Sequence, residues 1–191
     1  MVVIGSSRTE EWGQVQSGRE TITRDDPRLA FDRLTQARLD RAYRLAVALL
    51  RDQGEAEDAV QDAALQAWAG WKRLRDESRF DAWFDRILVN RCRDQMRRHV
   101  QAYVAVGPLT AGERDPASDS AERMAIGQAM STLSADHQIV VTLRFMEDLS
   151  INEIATRTGQ REGTVKSRLH YALRQLRAAY EAASRSAGDT R

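Results

Sequence analysis

Thr164, Ser167, Arg168, Tyr171, Arg174 and Gln175 recur at steps of three and four, so a helix through them gathers six hydrogen-bonding side chains on one face. Arg161, Lys166, Arg168, Arg174 and Arg177 stand in the same stretch against Glu162 alone, a local charge of +4 in a chain whose net charge is +1. Hydroxyls, a phenol and guanidiniums in that pattern suit phosphate oxygens and base edges. The opposite face, Val165, Leu169, Ala172, Leu173 and Leu176, is apolar and predicts a buried stripe. Upstream, Ser150 and Glu153 have the spacing of a capping box and Gly159 breaks the short helix that starts there. Cap, turn and stripe together predict a helix-turn-helix, whose second helix enters a DNA major groove. A solvated, arginine-rich outer face of an ordinary bundle accounts for the charge alone.

A second group of residues is acidic. Asp52, Glu55, Glu57, Asp58 and Asp62, with Gln61 beside them, lie at the start of a helix predicted from Glu55 to Ala69, with no cation among them. Such a face suits a basic partner; a solvated face helped by the positive helix N-terminus is the plain alternative. A third group sits on a long helix predicted over about Phe80 to His99. Trp83, Phe84, Ile87, Leu88, Cys92 and Met96 form its apolar side, and Arg86, Asn90, Arg93 and Arg97 form a basic strip. The strip, with the polar loop Asp76 to Arg79 before it, suits exposed bases and phosphates or, equally, plain solvation.

The elements that must position these groups read as helical throughout. The chain has 191 residues, 42% of them hydrophobic, enough for one or two small domains. Residues 1–26 lack helical periodicity and read as a flexible tail; Asp26 before Pro27 resembles an N-cap with proline at the first helical position. Leu39, Tyr43, Ala46, Val47 and Leu50 predict a first helix that ends near Gly54. Residues 101–121 hold Gly107, Pro108, Gly112 and Pro116 and read as a linker. A second domain over 122–182 contains helices around Met124 and Met130 and around Ile139, Val140 and Leu143, the latter capped by Ser134; residues 183–191 read as another tail. The expected fold is all-α, two small helical domains joined by a flexible linker, the C-terminal one containing the helix-turn-helix.

Cys92 is alone, which excludes a disulfide framework and suits a reducing cytoplasm; on the apolar side of its helix it reads as a buried, inert thiol. No signal-peptide pattern or membrane-spanning run is visible, so cytoplasmic localisation without membrane insertion is expected. His99, His137 and His170 are too scattered for a metal site, Met124, Met130 and Met146 read as core filling, and no catalytic constellation or cofactor motif is found.

The segments EAEDAVQDAALQAWAG, FDAWFDRILVNRCRDQMRR and LSINEIATRTGQREGTVKSRLHYALRQLR, in that order, resemble the successive signatures of the extracytoplasmic-function (ECF) sigma factors of bacterial RNA polymerase. The resemblance covers residues 28 to 180 or so. It implies a non-enzymatic subunit that binds core RNA polymerase and promoter DNA to direct promoter-specific initiation, and that an anti-sigma factor sequesters. Carried onto this sequence, it implies polymerase docking by Asp58, Gln61, Asp62 and Leu65. It implies minus-ten recognition by Ser78, Arg79, Phe80, Arg86, Asn90, Arg93, Asp94, Arg97 and Arg98, and minus-35 recognition by Arg161, Thr164, Lys166, Ser167, Arg168, Tyr171 and Arg174. The linker would thread into the polymerase.

The chain departs from the family pattern at three places. Ala64 stands where phenylalanine is usual, so the core beneath the docking helix must be looser or filled by another side chain such as Trp71. Thr158 replaces a leucine before the turn glycine, and Ser134 a common proline. A stand-alone helix-turn-helix regulator and a polymerase-binding adaptor without initiation activity are the alternatives; the acidic helix weighs against the first and the retained readout residues against the second.

Overall fold

The computed structural model describes residues 26–106 and 121–188; the stretch 1–25, the Gly- and Pro-bearing segment 107–120 and residues 189–191 lie outside it. Every described element is helical. Four helices carry the first half of the second domain and its helix-turn-helix, α4 (Ala121–Ser131), α5 (Ala135–Phe145), α6 (Ile151–Thr158) and α7 (Glu162–Gly188); α1 (Pro27–Leu50), α2 (Gln53–Gly70) and α3 (Phe80–Val106) form the first.

Local chemistry explains most boundaries. Asp26 accepts from the Arg28 amide at 2.9 Å, with Pro27 starting α1, as its sequence predicts. The first helix does not end at Gly54. Arg51 adopts a left-handed conformation (φ 60°) and its amide reaches the Val47 carbonyl at 2.8 Å, after which Asp52 caps α2 by accepting from the Glu55 amide at 2.8 Å. Gly54 lies inside the first turn of α2. α3 continues to Val106, into the segment read as linker, and α7 continues to Gly188, into the segment read as a tail.

α1, α2 and α3 pack on one another through Phe31, Leu45, Leu49, Ala56, Val60, Ala63, Phe84, Leu88 and Cys92. Phe31 meets Trp68, Trp71 and Phe80 edge-on, with ring centroids 5.1, 5.5 and 6.0 Å away. Such edge-to-face contacts add to the area these rings bury. Beside this cluster the small Ala64 borders an open depression of about 480 Å³ between Phe31, Gln61, Leu65 and Trp68. Gly70 permits the close approach of α2 to α3, since a Cβ there would lie 3.0 Å from the Trp83 ring.

In the second domain, Ser134 caps α5 by accepting from the His137 amide. Ser150 and Glu153 form the full reciprocal capping box of α6, and Gly159 ends it at φ 67°. Thr158, buried where leucine is usual, satisfies its hydroxyl by donating to the Ile154 carbonyl at 2.7 Å. Met130 packs against Leu133, Val141 and Ala172, whereas Met146 is 62% exposed and does not fill the core: it caps the C-terminus of α5 and points outward.

The two domains are packed together. α6 lies along α3, and α5 touches both α3 and α1. Ile139, Val140, Leu143, Ile154 and Val165 join the apolar cluster of the first domain, and Val89 of α3 is fully covered. At their junction Asp85, 1% exposed, accepts from Arg38 Nε at 3.0 Å and from Arg157 Nε of α6 at 2.8 Å.

Candidate polymerase and nucleic-acid interfaces

On α2, Asp58, Gln61, Asp62 and Leu65 share one exposed face, and Leu65 is 62% exposed. The five carboxylates around it divide their duties. Asp52 serves as the helix cap, Glu55 meets His99 Nε2 at 2.8 Å, and Asp62 lies 3.9 Å from Arg91. Glu57 and Asp58 are exposed and make no ion pair among the described residues. A leucine and free carboxylates side by side fit a partner that offers both cations and an apolar contact.

The loop before α3 is built on Asp76. Its carboxylate accepts from the Ser78 amide at 3.0 Å and the Ser78 hydroxyl at 2.6 Å, and these bonds, with Arg79 nearby, hold its carboxyl below the usual range. Ser78 and Arg79 are thereby held in a single 3-10 turn with their side chains exposed. Phe80 does not belong with them. It is 1% exposed and packs against Phe31, Trp71, Trp83 and Phe84, so it supports the loop from beneath and cannot touch a nucleic acid.

The basic strip of α3 borders its own second domain, with Arg93 largely covered and Arg86, Asn90 and Arg97 still exposed. Arg93 Nε donates to Asp136 Oδ1 at 2.9 Å, and Arg97 lies 3.4 Å from the other carboxylate oxygen. Arg93 also donates to Asn90 Oδ1 at 2.6 Å. The Arg86 guanidinium lies against Gly159, where a Cβ would come within 2.8 Å of it. Asp94 and Arg98 are exposed, with Arg98 Nε donating to the Asp94 carbonyl at 3.4 Å.

The face of α7 is largely open. Arg161, Lys166, Ser167, Tyr171 and Arg174 are exposed and Thr164 half-buried, with Ser167 donating to the Thr164 carbonyl at 3.0 Å. Gln175 is engaged with His137 Nδ1 at 3.0 Å. Arg168 departs from its neighbours. It reaches Asp136 at 3.2 Å and keeps 29% of its side chain exposed.

Asp136, Arg38, Asp85 and Arg157 were missed by sequence reasoning. Asp85 carried a signal: with Leu88, Val89, Cys92 and Met96 it recurs at steps of three and four, on the buried side of α3. Asp136, in the first turn of α5, reads locally as an ordinary helix-start carboxylate. Cys92 is buried as expected, and burial pushes its thiol up to about 12. Among the described residues no helix is long and apolar enough to cross a membrane.

Residues 34–101 match the family model for Sigma-70 region 2 and residues 129–178 that for Sigma-70, region 4. The ECF RNA polymerase sigma factor SigL of Mycobacterium tuberculosis is 35% identical over 141 residues, covering 71% of this chain and 80% of SigL. The chain belongs to the extracytoplasmic-function sigma factors. Bacillus subtilis SigV is 32% identical over 139 residues, 71% of this chain and 81% of SigV. Among solved structures, the sigma factor RpoE of Bartonella quintana, crystallised with the anti-sigma factor NepR, superposes with a TM-score of 0.63 at 28% identity over 79% of this chain and 96% of RpoE. As an ECF sigma factor the protein binds core RNA polymerase and directs promoter-specific transcription initiation. The relatives are sigma factors, which are not enzymes.

Proposed function

We propose a division of labour among the three surfaces. Asp58, Gln61, Asp62 and Leu65 on α2 dock on a basic, partly apolar surface of core polymerase. Ser78 and Arg79, with Arg86, Asn90, Arg93, Asp94, Arg97 and Arg98, hold the opened minus-ten strand, whose bases and phosphates such side chains suit. Arg161, Thr164, Lys166, Ser167, Arg168, Tyr171 and Arg174 read the minus-35 element as duplex through the major groove. Residues 27–100 and 122–182 are the two working domains, with 101–121 as linker between them. The protein itself catalyses no reaction, acts in the cytoplasm and is held in check by an anti-sigma factor, as the NepR-bound relative suggests.

The single observation that carries this reading is the exposed line Asp58, Gln61, Asp62 and Leu65, in which Leu65 is 62% exposed and Asp58 makes no ion pair among the described residues. Run-off transcription with purified core polymerase on fragmented genomic DNA of the source tests it, comparing wild type with Asp58→Arg, Asp62→Arg. Defined transcripts that need the chain and vanish with the variant are expected. Core binding without any transcript would make the protein an adaptor instead, and specific DNA binding without core binding a free-standing regulator.

A further inference from the structure

We propose that core polymerase seats an apolar side chain in the depression at Ala64, with Trp68 as the principal wall of that contact. The inference rests on the reading of the α2 face as the polymerase-docking surface, and it extends that surface by one turn and onto α1. Asp58, Gln61, Leu65 and Trp68 recur at steps of three and four, so the tryptophan continues the docking line on the same side of the helix. Gln61 and Leu65, two of the four docking residues, themselves line the depression, which is therefore continuous with the docking face.

The depression is shaped for such a contact. At about 480 Å³ it falls within the roughly 300–1,000 Å³ of sites that enclose small ligands, so a leucine, methionine or phenylalanine side chain fits inside it. Ala64 contributes only a methyl group to its wall, at the position where phenylalanine is usual in the family. The buried ring of Phe31 lines it from α1. Trp68 stands 43% exposed, yet its ring is propped edge-on against Phe31 with centroids 5.1 Å apart. A side chain already held in place loses little freedom when a partner covers it.

Polar groups ring the opening. Arg28 and Asp32 of α1, one turn apart, make no ion pair among the described residues, and Gln61 is exposed beside them. A tryptophan in an apolar recess with a polar rim is the arrangement of a binding hot spot, where the rim keeps water from the buried contact. The chemistry of the partner segment follows from its two neighbours. Asp58, exposed and without an ion pair among the described residues, lies six residues before Ala64, about 9 Å along the helix axis. The matching stretch of polymerase therefore offers a cation and, that far from it, an apolar side chain. The carboxylates steer and orient the encounter, and the depression sets how long the complex lasts.

Fluorescence anisotropy of the full chain, labelled at its N-terminus and titrated with purified core polymerase, tests this. Ala64→Phe fills the depression and should weaken binding at least about tenfold without lowering the melting temperature; Ala64→Leu, a smaller filling, should weaken it less. Trp68→Ala removes the wall and should cost about tenfold or more. Because the contact is apolar, these losses should persist at high salt, whereas the loss in Asp58→Arg, Asp62→Arg should shrink as salt screens it. Wild-type affinity in Ala64→Phe and Trp68→Ala, beside a loss in the charge-reversed variant, would overturn the depression as a contact and leave the docking face in place. Wild-type affinity in all three would overturn both. A higher melting temperature with unchanged affinity in Ala64→Phe would make the depression an unfilled part of the core, and tighter binding in that variant would place a segment of the chain itself there; either result overturns the proposal. So would a loss confined to the Ala64 variants and accompanied by a fall in melting temperature, which is a packing fault.

Discussion

α3 and α7 each set arginines at steps of three and four beside an apolar stripe, but α7 leaves Lys166, Ser167, Tyr171 and Arg174 open to solvent, while on α3 Arg93 is drawn against the second domain and Arg86 and Arg97 touch it yet stay exposed. Helical periodicity decides which residues share a face. It does not decide what that face meets. For α7 the polar face lies outside its domain core, and solvent is the default neighbour. For α3 the same kind of face borders Asp85 and Val89, which are buried under α5 and α6, and Arg93 is drawn into the domain junction.

The sharpest way to break this comparison is Asp85→Ala. It strands Arg38, 3% exposed, without its carboxylate and removes the Arg157 contact across the junction. Loss of one partner of a buried ion pair costs about 3 to 5 kcal/mol, so urea unfolding should show a large fall in stability. A fall below about 1 kcal/mol, the range of exposed pairs, would place α3 in the same open class as α7.

Next in size is Arg168→Ala on α7. If Arg168 reads a base once released from Asp136, selection of minus-35 sequences should show a loss of about 1 to 3 kcal/mol of discrimination confined to one position. An equal loss on every sequence would make it a phosphate contact instead. Gly159→Ala probes the point where the two helices' territories touch. The left-handed conformation costs a non-glycine residue roughly 1 to 2 kcal/mol, and the new Cβ must also displace the Arg86 guanidinium. A lower melting temperature is expected, with Gly159→Asn milder than Gly159→Ala because asparagine visits that conformation more readily.

The smallest effects lie at the start of the helix-turn-helix. Ser150→Ala removes the α6 cap, a loss of about 1 kcal/mol in the same melts. Glu153 has its carboxyl held below the ordinary value by the Ser150 amide and hydroxyl. A lowered folded pKa contributes stability above the unfolded pKa and loses it as pH falls through the folded one. Helicity of wild type should therefore decline slightly more on acidification below the usual carboxylate range than that of Ser150→Ala.

Much of the first domain and nearly all of the helix-turn-helix were legible. The Asp26–Pro27 start, the Ser134 cap, the Ser150–Glu153 box and the Gly159 stop are each made by residues within four positions of one another. Phe80 was misread because its neighbours Ser78 and Arg79 belong to the loop while its own ring belongs to the aromatic cluster with Phe31, 49 residues earlier. Gly54 was misread because a glycine usually marks a break, yet Arg51 takes the left-handed conformation first and Asp52 begins the next helix.

By itself the sequence determined the helices, most of their caps, the acidic line on α2 and the polar face of α7, since capping and amphipathicity act over one or two turns. Only the tertiary structure decided that Asp136 gathers Arg93, Arg97 and Arg168, and that Asp85 binds Arg38 and Arg157. Those partners are 32 to 72 residues apart along the chain, a separation at which local propensity carries no information and packing alone selects which opposite charges meet.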